Sequence, residues 1–341
     1  MKCNAAHPFW FSLLLLALAL LFSVAVGSVY IPPATLFELV RSQLFNIELP
    51  EALAPFATII FTLRLPRTAL VAITGAALAG SGAAYQGLFR NPLADPYLIG
   101  VASGAGLGAI FSMTVGLSSF LGMYAIPAAA FAGAMLTVWI VYELARVGRA
   151  LPATNLILAG VAISSFATAL TSFLMISATG DLRRALTWML GGSSMSGWQP
   201  VLVELPYVIV GLGVLLTMGH ALNVMQVGDE QAQQLGLPVE RVRFAIIIAA
   251  SLATAAAVSF TGIIGFVGLI VPHVVRMVWG TDYRRLIPLS ILSGATLLLF
   301  ADILARIVMS PQELPVGVIM SLGGAPFFLW VLRRTKNQNL W

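Results

Sequence analysis

Charge is what this chain has least of. Only 9% of its 341 residues are Asp, Glu, Lys or Arg, against about a quarter in soluble domains. Hydrophobic residues make up 59%. Water alone cannot solvate so apolar a chain, so lipid is part of its solvent, and no nucleic-acid partner is expected. Lysine is nearly missing, with Lys2 and Lys336 confined to the tails. A phosphate-binding P-loop needs a lysine directly after a glycine-rich turn, which excludes ATP hydrolysis by that route. The single cysteine, Cys3, has no partner for a disulfide or a thiolate metal site. His7, His220 and His273 lie too far apart to read as a metal cluster. With no nucleophile triad or acid/base pair visible, the chain is read as having no catalytic residues, no metal site and no cofactor of its own.

What is present is a series of apolar runs. A spanning helix needs about 20 mostly apolar residues. The runs predict an all-α polytopic membrane protein of about ten transmembrane helices, at 9–28, 66–88, 97–117, 123–143, 154–176, 198–219, 244–263, 265–278, 287–307 and 315–332. The last junction within 244–278 is split at the glycines near Gly262. Lys2 before the first run and Ala25-Val26-Gly27 after it resemble a signal peptide, but further spans follow, and an uncleaved first span is expected. With the N-terminus inside, 12 of the 18 basic residues fall on the cytoplasmic side. The other six are Arg41, Arg64, Arg67, Arg183, Arg184 and Arg306. That bias predicts both termini in the cytoplasm. The charged residues sit near predicted span ends.

Two connections are long. The outer one, 30–63, contains an amphipathic stretch, Leu36 to Arg41, that reads as an interfacial helix. The inner one contains Gly228-Asp229-Glu230-Gln231-Ala232-Gln233-Gln234-Leu235-Gly236-Leu237-Pro238, a short polar helix stopped by Gly236 and Pro238. It is either a plain connector or a docking element for a soluble partner.

Within the spans, Gly75, Ala79 and Gly82 in the second and Gly100, Gly104 and Gly108 in the third allow close helix approach. Ser164, Ser165, Thr168, Thr171 and Ser172 share one face of the fifth. Hydroxyls in lipid can satisfy themselves on their own helix, or the face can line a water-accessible path. Arg64 and Arg67, flanking Pro66, and Arg306 fall at the outer surface. They read as head-group anchors or as receptors for a partner's carboxylates.

Taken in order, Arg64-Leu65-Pro66-Arg67, Gly75 through Ala83, Gln86, Arg90-Asn91-Pro92-Leu93-Ala94-Asp95-Pro96, Gly100, Leu158-Ala159-Gly160, Trp188-Met189-Leu190-Gly191-Gly192, Gln234-Leu235-Gly236-Leu237, Gly265 through His273, Ala301-Asp302, Glu313 through Gly317 and Gly323-Gly324-Ala325-Pro326 closely resemble the FecCD family of ABC-importer permeases. That family serves ferric siderophores, haem and vitamin B12. The resemblance covers nearly the whole chain. It implies a type II importer fold and a single permease domain over 1–341 that pairs with a second copy. Two cytoplasmic ATPases, which bind ATP and Mg, would dock on one side. A periplasmic or lipid-anchored binding protein would dock on the other, in a bacterial or archaeal cytoplasmic (inner) membrane.

By position, the resemblance implies that Arg64, Arg67 and Arg306 receive glutamates of the binding protein. It implies that 228–238 is the coupling helix, presenting Gly228, Asp229, Glu230, Gln234, Leu235, Gly236 and Leu237. Asn91, Leu93 and Pro152-Ala153-Thr154 fall at cytoplasmic gates. The vitamin B12 members carry Ser-Thr-Ser at the last position, so this gate is smaller and less polar. The expected cargo is a ferric siderophore or a related chelate, cobalamin or haem. The alternative, a secondary transporter, would bury ionisable groups near the midplane.

Overall fold

The computed structural model describes residues 7–27, 29, 31–45, 49–148, 150–177, 182–192 and 196–336. Lys2, Cys3 and Asp181 lie outside the described residues. Among those described, the regular structure is helical, with one isolated bridge between Val147 and Ala150.

Ten helices correspond to the predicted spans: α1 His7–Ala25, α2 Leu65–Leu88, α3 Val101–Val115, α4 Ala125–Ala145, α5 Ala153–Ser177, α6 Trp198–Thr217, α7 Val239–Thr261, α8 Val267–Trp279, α9 Tyr283–Ile307 and α10 Val316–Lys336. Seven are long and apolar enough to cross a bilayer, while α3, α8 and α10 are shorter apolar helices. The helix boundaries follow turn chemistry. Gly116 (φ 69°) closes α3, Gly262 (φ 79°) closes α7, and the Asp282 carboxylate caps α9 by accepting from the Arg284 amide. The outer connection holds the amphipathic helix as Pro33–Phe45. The rest of that connection departs from the prediction. Residues 51–64 form a helical lead-in to α2, ending in a π turn at Ile59–Arg64.

Helix α2 is the hub, packed by α9, α7, α8 and α6, while α3, α4 and α5 form a second group against α7. The small residues explain how. A methyl group on Gly75 would strike the backbone of Gly294 on α9, and one on Gly82 would strike Gly268 on α8. Gly104 and Gly108 meet Gly133 and Ala129 of α4 in the same way. Gly100 is a left-handed turn residue (φ 88°) before α3, and it faces Thr137 of α4. In lipid, where no hydrophobic force drives helix pairing, such backbone contact is the main source of adhesion.

Helices α3 and α8 have 15 and 13 residues. At 1.5 Å per residue they reach only ~20 Å, short of the ~30 Å hydrocarbon core. Irregular backbone fills the remainder. Gly268, at the start of α8, touches Gly82 and Leu78, beyond the middle of α2, so the turn 262–266 dips deep into the protein. It meets the 3-10 turn Pro96–Ile99 coming from the opposite end. Non-helical backbone at this depth survives only where protein satisfies it. Tyr97 does so twice: its hydroxyl donates to Ile264 O (2.9 Å) and accepts from Ile264 N (3.3 Å).

These contacts predict a contrast. Gly82→Ala should destabilise the detergent-solubilised protein by about 1–3 kcal/mol through overpacking, read as a drop in melting temperature. Gly213→Ala on α6, where nothing lies within 4 Å of the added carbon, should leave it unchanged or raise it.

Candidate functional site

Arg64, Arg67 and Arg306, the arginines expected at the outer surface, converge at one end of the bundle. The last carbonyls of α1 have no helical partner. Arg64 donates to Val24 O and Ala25 O (3.0 Å each) and to Val29 O. Arg306 donates to Ser23 O (3.0 Å), Val26 O (2.9 Å) and Ser23 Oγ (3.0 Å). Its Nε also pairs with Asp302 at 3.0 Å. Both arginines are buried. In this chain Arg64 and Arg306 cap the negative end of a helix dipole. Arg67 differs. Its fork grips Asp302 Oδ1 (2.9 and 3.0 Å) and Glu313, with 34% of its side chain exposed.

Beside this cluster lies a cavity of about 450 Å³ lined by Arg67, Asp302, Glu313, Thr187, Thr261 and Ile264 among others. Its floor is a knot of small residues drawn from three separated motifs. Gly262 abuts Trp188 O, Gly317 abuts Leu190 O, and Gly191 (φ 76°) lies against Ile263 and Gly317. On the other side of the 262–266 turn, Ser164, Thr168 and Thr171 line a cavity of about 310 Å³ with Tyr97, Ser103 and Ile263. Thr171 also bonds back to Ala167 O at 2.8 Å. Ser165 and Ser172 are not among that cavity's lining residues. They are exposed and bond back to Val161 O (2.9 Å) and Thr168 O (3.0 Å).

Sequence reading missed one ionisable group. Glu204, in the second turn of α6, is completely buried and accepts from Thr74 Oγ1 at 3.4 Å. Its other carboxylate oxygen has no partner, and it joins no ion pair among the described residues. The apolar run around it hid the charge.

The opposite end holds the polar segment. Gly228 (φ 119°) precedes the helix Asp229–Gln234. The helix closes on Gly236 (φ 85°), with Leu237 N donating to Ala232 O (3.0 Å) and Gly236 N to Gln233 O (2.9 Å). This is the Schellman pattern that a C-terminal glycine permits. Ala232 is buried, while Glu230, Gln234 and Leu235 face outward, Leu235 with 72% exposure. The preceding helix, Gly219–Met225, is pinned to the bundle: Asn223 donates to Asp282 Oδ1 (2.6 Å) and accepts from Tyr283 N (2.9 Å). Hydrogen bonds from Arg284, and then from Asn223, hold the Asp282 carboxyl well below the usual carboxylate range. Of the gate residues, Asn91 closes a turn by accepting from Leu93 N at 2.9 Å, Pro152 and Thr154 are exposed, and Ala153 is half-buried at the start of α5.

A family model described as the FecCD transport family matches residues 15–334. The chain belongs to that family. The cobalamin import system permease protein BtuC of Halobacterium salinarum is 46% identical over 275 residues, covering 81% of this chain and 73% of that protein. The hemin transport system permease protein HmuU of Yersinia pestis is 42% identical over 283 residues, covering 81% and 83%. A solved structure described as an inward-facing conformation of a metal-chelate type ABC transporter superposes with a TM-score of 0.82 at 28% identity, covering 97% of this chain and 99% of that one. The chain is thus a polytopic membrane permease of the ABC-importer class. Membership in the FecCD family turns the all-α, about-ten-span prediction into a finding.

The arginine cluster carries its own prediction. Arg306→Ala takes from the buried Asp302 carboxylate its partner on α9 and from the carbonyls of Ser23 and Val26, at the end of α1, their donor, and should cost about 3–5 kcal/mol. Arg67→Ala should cost less, because Asp302 keeps Arg306 and Arg67 is partly solvated. Thermal melts of the two variants in one detergent check the ranking.

Proposed function

We propose that this chain works as a homodimer, with two ATPase subunits on the face of the polar segment and a substrate-binding protein on the face of the arginine cluster. That arrangement puts the polar segment and both termini in the cytoplasm of a bacterial or archaeal cell. The observation that carries the reading is the segment 228–238. It is a six-residue helix capped at both ends by glycines, held to the bundle through one buried face, and it presents Glu230, Gln234 and Leu235 outward. Leu235, exposed at the end of this polar helix, is read as one of its contacts with the ATPase subunit. ATP-driven closure of the partner subunits would push these helices and rock the two permease copies, passing cargo between them. The cavity walled by Ser164, Thr168 and Thr171 belongs to that path.

On the opposite face, Arg67 and Glu313 are the exposed charges of the cluster, and a binding protein's carboxylates would exchange with Glu313 for Arg67. Arg64 and Arg306 would then hold the platform rather than touch the partner. The cargo is a metal chelate. We read the chelate as a macrocycle before a ferric siderophore, a reading supported by relatives named for cobalamin and for hemin.

Three measurements test this. The purified chain should show no ATPase activity, and two copies should co-purify with two ATPase subunits from native membranes; a transport-competent chain without them would overturn the proposal. Glu230→Arg with Leu235→Asp should reduce that co-purification at least tenfold, equivalent to about 1.4 kcal/mol, while leaving the chain's own melting temperature unchanged. Arg67→Glu should weaken binding-protein affinity and remove its salt dependence.

A further inference from the structure

The polar segment is wired to both gate loops through a single carboxylate. Asp229, the first residue of the helix Asp229–Gln234, accepts from Arg243 at 2.6 Å through one oxygen and pairs with Arg90 at 3.4 Å through the other. Arg90 immediately precedes Asn91 and sits in a left-handed conformation (φ 49°) just past the end of α2. A non-glycine residue holds that conformation only where its surroundings over-determine it. Arg243, at the start of α7, is buried. Its Nη1 donates to Leu151 O at 2.7 Å, directly before Pro152, and to Glu240 Oε1 at 2.9 Å. A further link runs from Gln226, whose amide donates to Gly87 O at 3.0 Å.

We propose that Asp229 is the relay through which movement of the polar segment reaches the two gate loops, with Arg90 as the arm to 91–93 and Arg243 as the arm to 152–154. The inference rests on the reading of 228–238 as the ATPase docking element. It adds that the signal travels by charge-assisted bonds and not by backbone connection. The physical reasons lie in the partners. Asp229 spends one oxygen on each arm, so displacing the helix must shift both guanidinium groups or break an ion pair. Arg243 is enclosed, so turning away from Asp229 would leave a second buried donor without a partner beside its Nε. Its planar fork holds Asp229 and Leu151 O from different nitrogens, so the two move as one piece. The Arg90 arm is longer and more solvated, and so the looser of the two. Asp229 and both arginines are positioning residues; they need not touch cargo.

The test uses the complex isolated from native membranes through this chain, with Cys3→Ser and one new cysteine at Leu93 or at Thr154. A water-soluble maleimide reads gate accessibility without nucleotide and with ATP plus vanadate. In the parent, ATP should change the labelling rate at both positions by about fivefold or more, the lower end of ordinary coupling between sites. Asp229→Asn keeps the shape and removes the charge. It should bring that ratio to about one at both positions while ATP hydrolysis continues, because the outward residues Glu230 and Leu235 are untouched. Arg90→Gln should abolish the response at Leu93 and spare Thr154.

A full response at both positions in Asp229→Asn overturns the relay and leaves the importer reading standing. Absence of any co-purifying ATPase in the parent overturns the importer reading and the relay with it. Where Asp229→Asn does not assemble, Arg90→Gln decides alone. Selective loss at Leu93 supports the relay, and equal responses at the two positions overturn it.

Discussion

Inside lipid, a backbone carbonyl or amide without a partner costs several kcal/mol, and most of what is distinctive here answers that one demand. Regular helices meet it by themselves. The difficulty falls where helices stop, and several stops have a side chain from elsewhere in the chain assigned to them. Arg64 and Arg306 serve the end of α1, Tyr97 serves the dipping turn before α8, and Gln86 reaches Gly268 O and Leu269 O, at 3.4 and 3.1 Å, at the start of that helix. Thr and Ser residues return to carbonyls of their own helix, as Thr114 does to Ile110 and Thr296 to Leu292.

The span positions were legible because apolar runs and their glycine or proline boundaries are local properties. The split at Gly262, where the apolar pattern is nearly continuous, corresponds to a real helix end. The polar helix after Gly228 and its stop at Gly236 were legible for the same reason. What could not be read was where polar side chains point. Arg64, Arg67 and Arg306 look equivalent in a string, yet two of them are sealed inside and one is partly open, because only the fold reveals that α1 ends beside them. Glu204 was overlooked because its neighbours Leu202, Val203 and Leu205 outweigh one charge in any window. The lead-in 51–64 was read as part of a long connection because Pro50, Glu51 and Pro55 look like a linker, although proline is well tolerated in a first helical turn.

Each end of the molecule holds both enclosed and open charge. At the arginine end Asp302 and Arg306 are almost fully enclosed, while Arg67 and Glu313 are partly exposed. At the opposite end Arg243 is as enclosed as Arg306, while Arg90 and Arg284 are open. Enclosed pairs fix a geometry, whereas partly solvated pairs exchange with water at small cost. Stiffness and adjustability at each end are therefore properties of burial, using the same residue types.

The Arg306–Ser23 contact joins residues 283 positions apart. During synthesis α1 leaves the ribosome long before α9, and its terminal carbonyls must wait until α9 has been made and inserted beside it. Until then, that end of α1 can be served only by water, head groups or the nearer Arg64. A helix translated early is thus among the last to be completed. A chain truncated before α9 would lack more than its final helices, because the beginning of the protein would also be left unfinished.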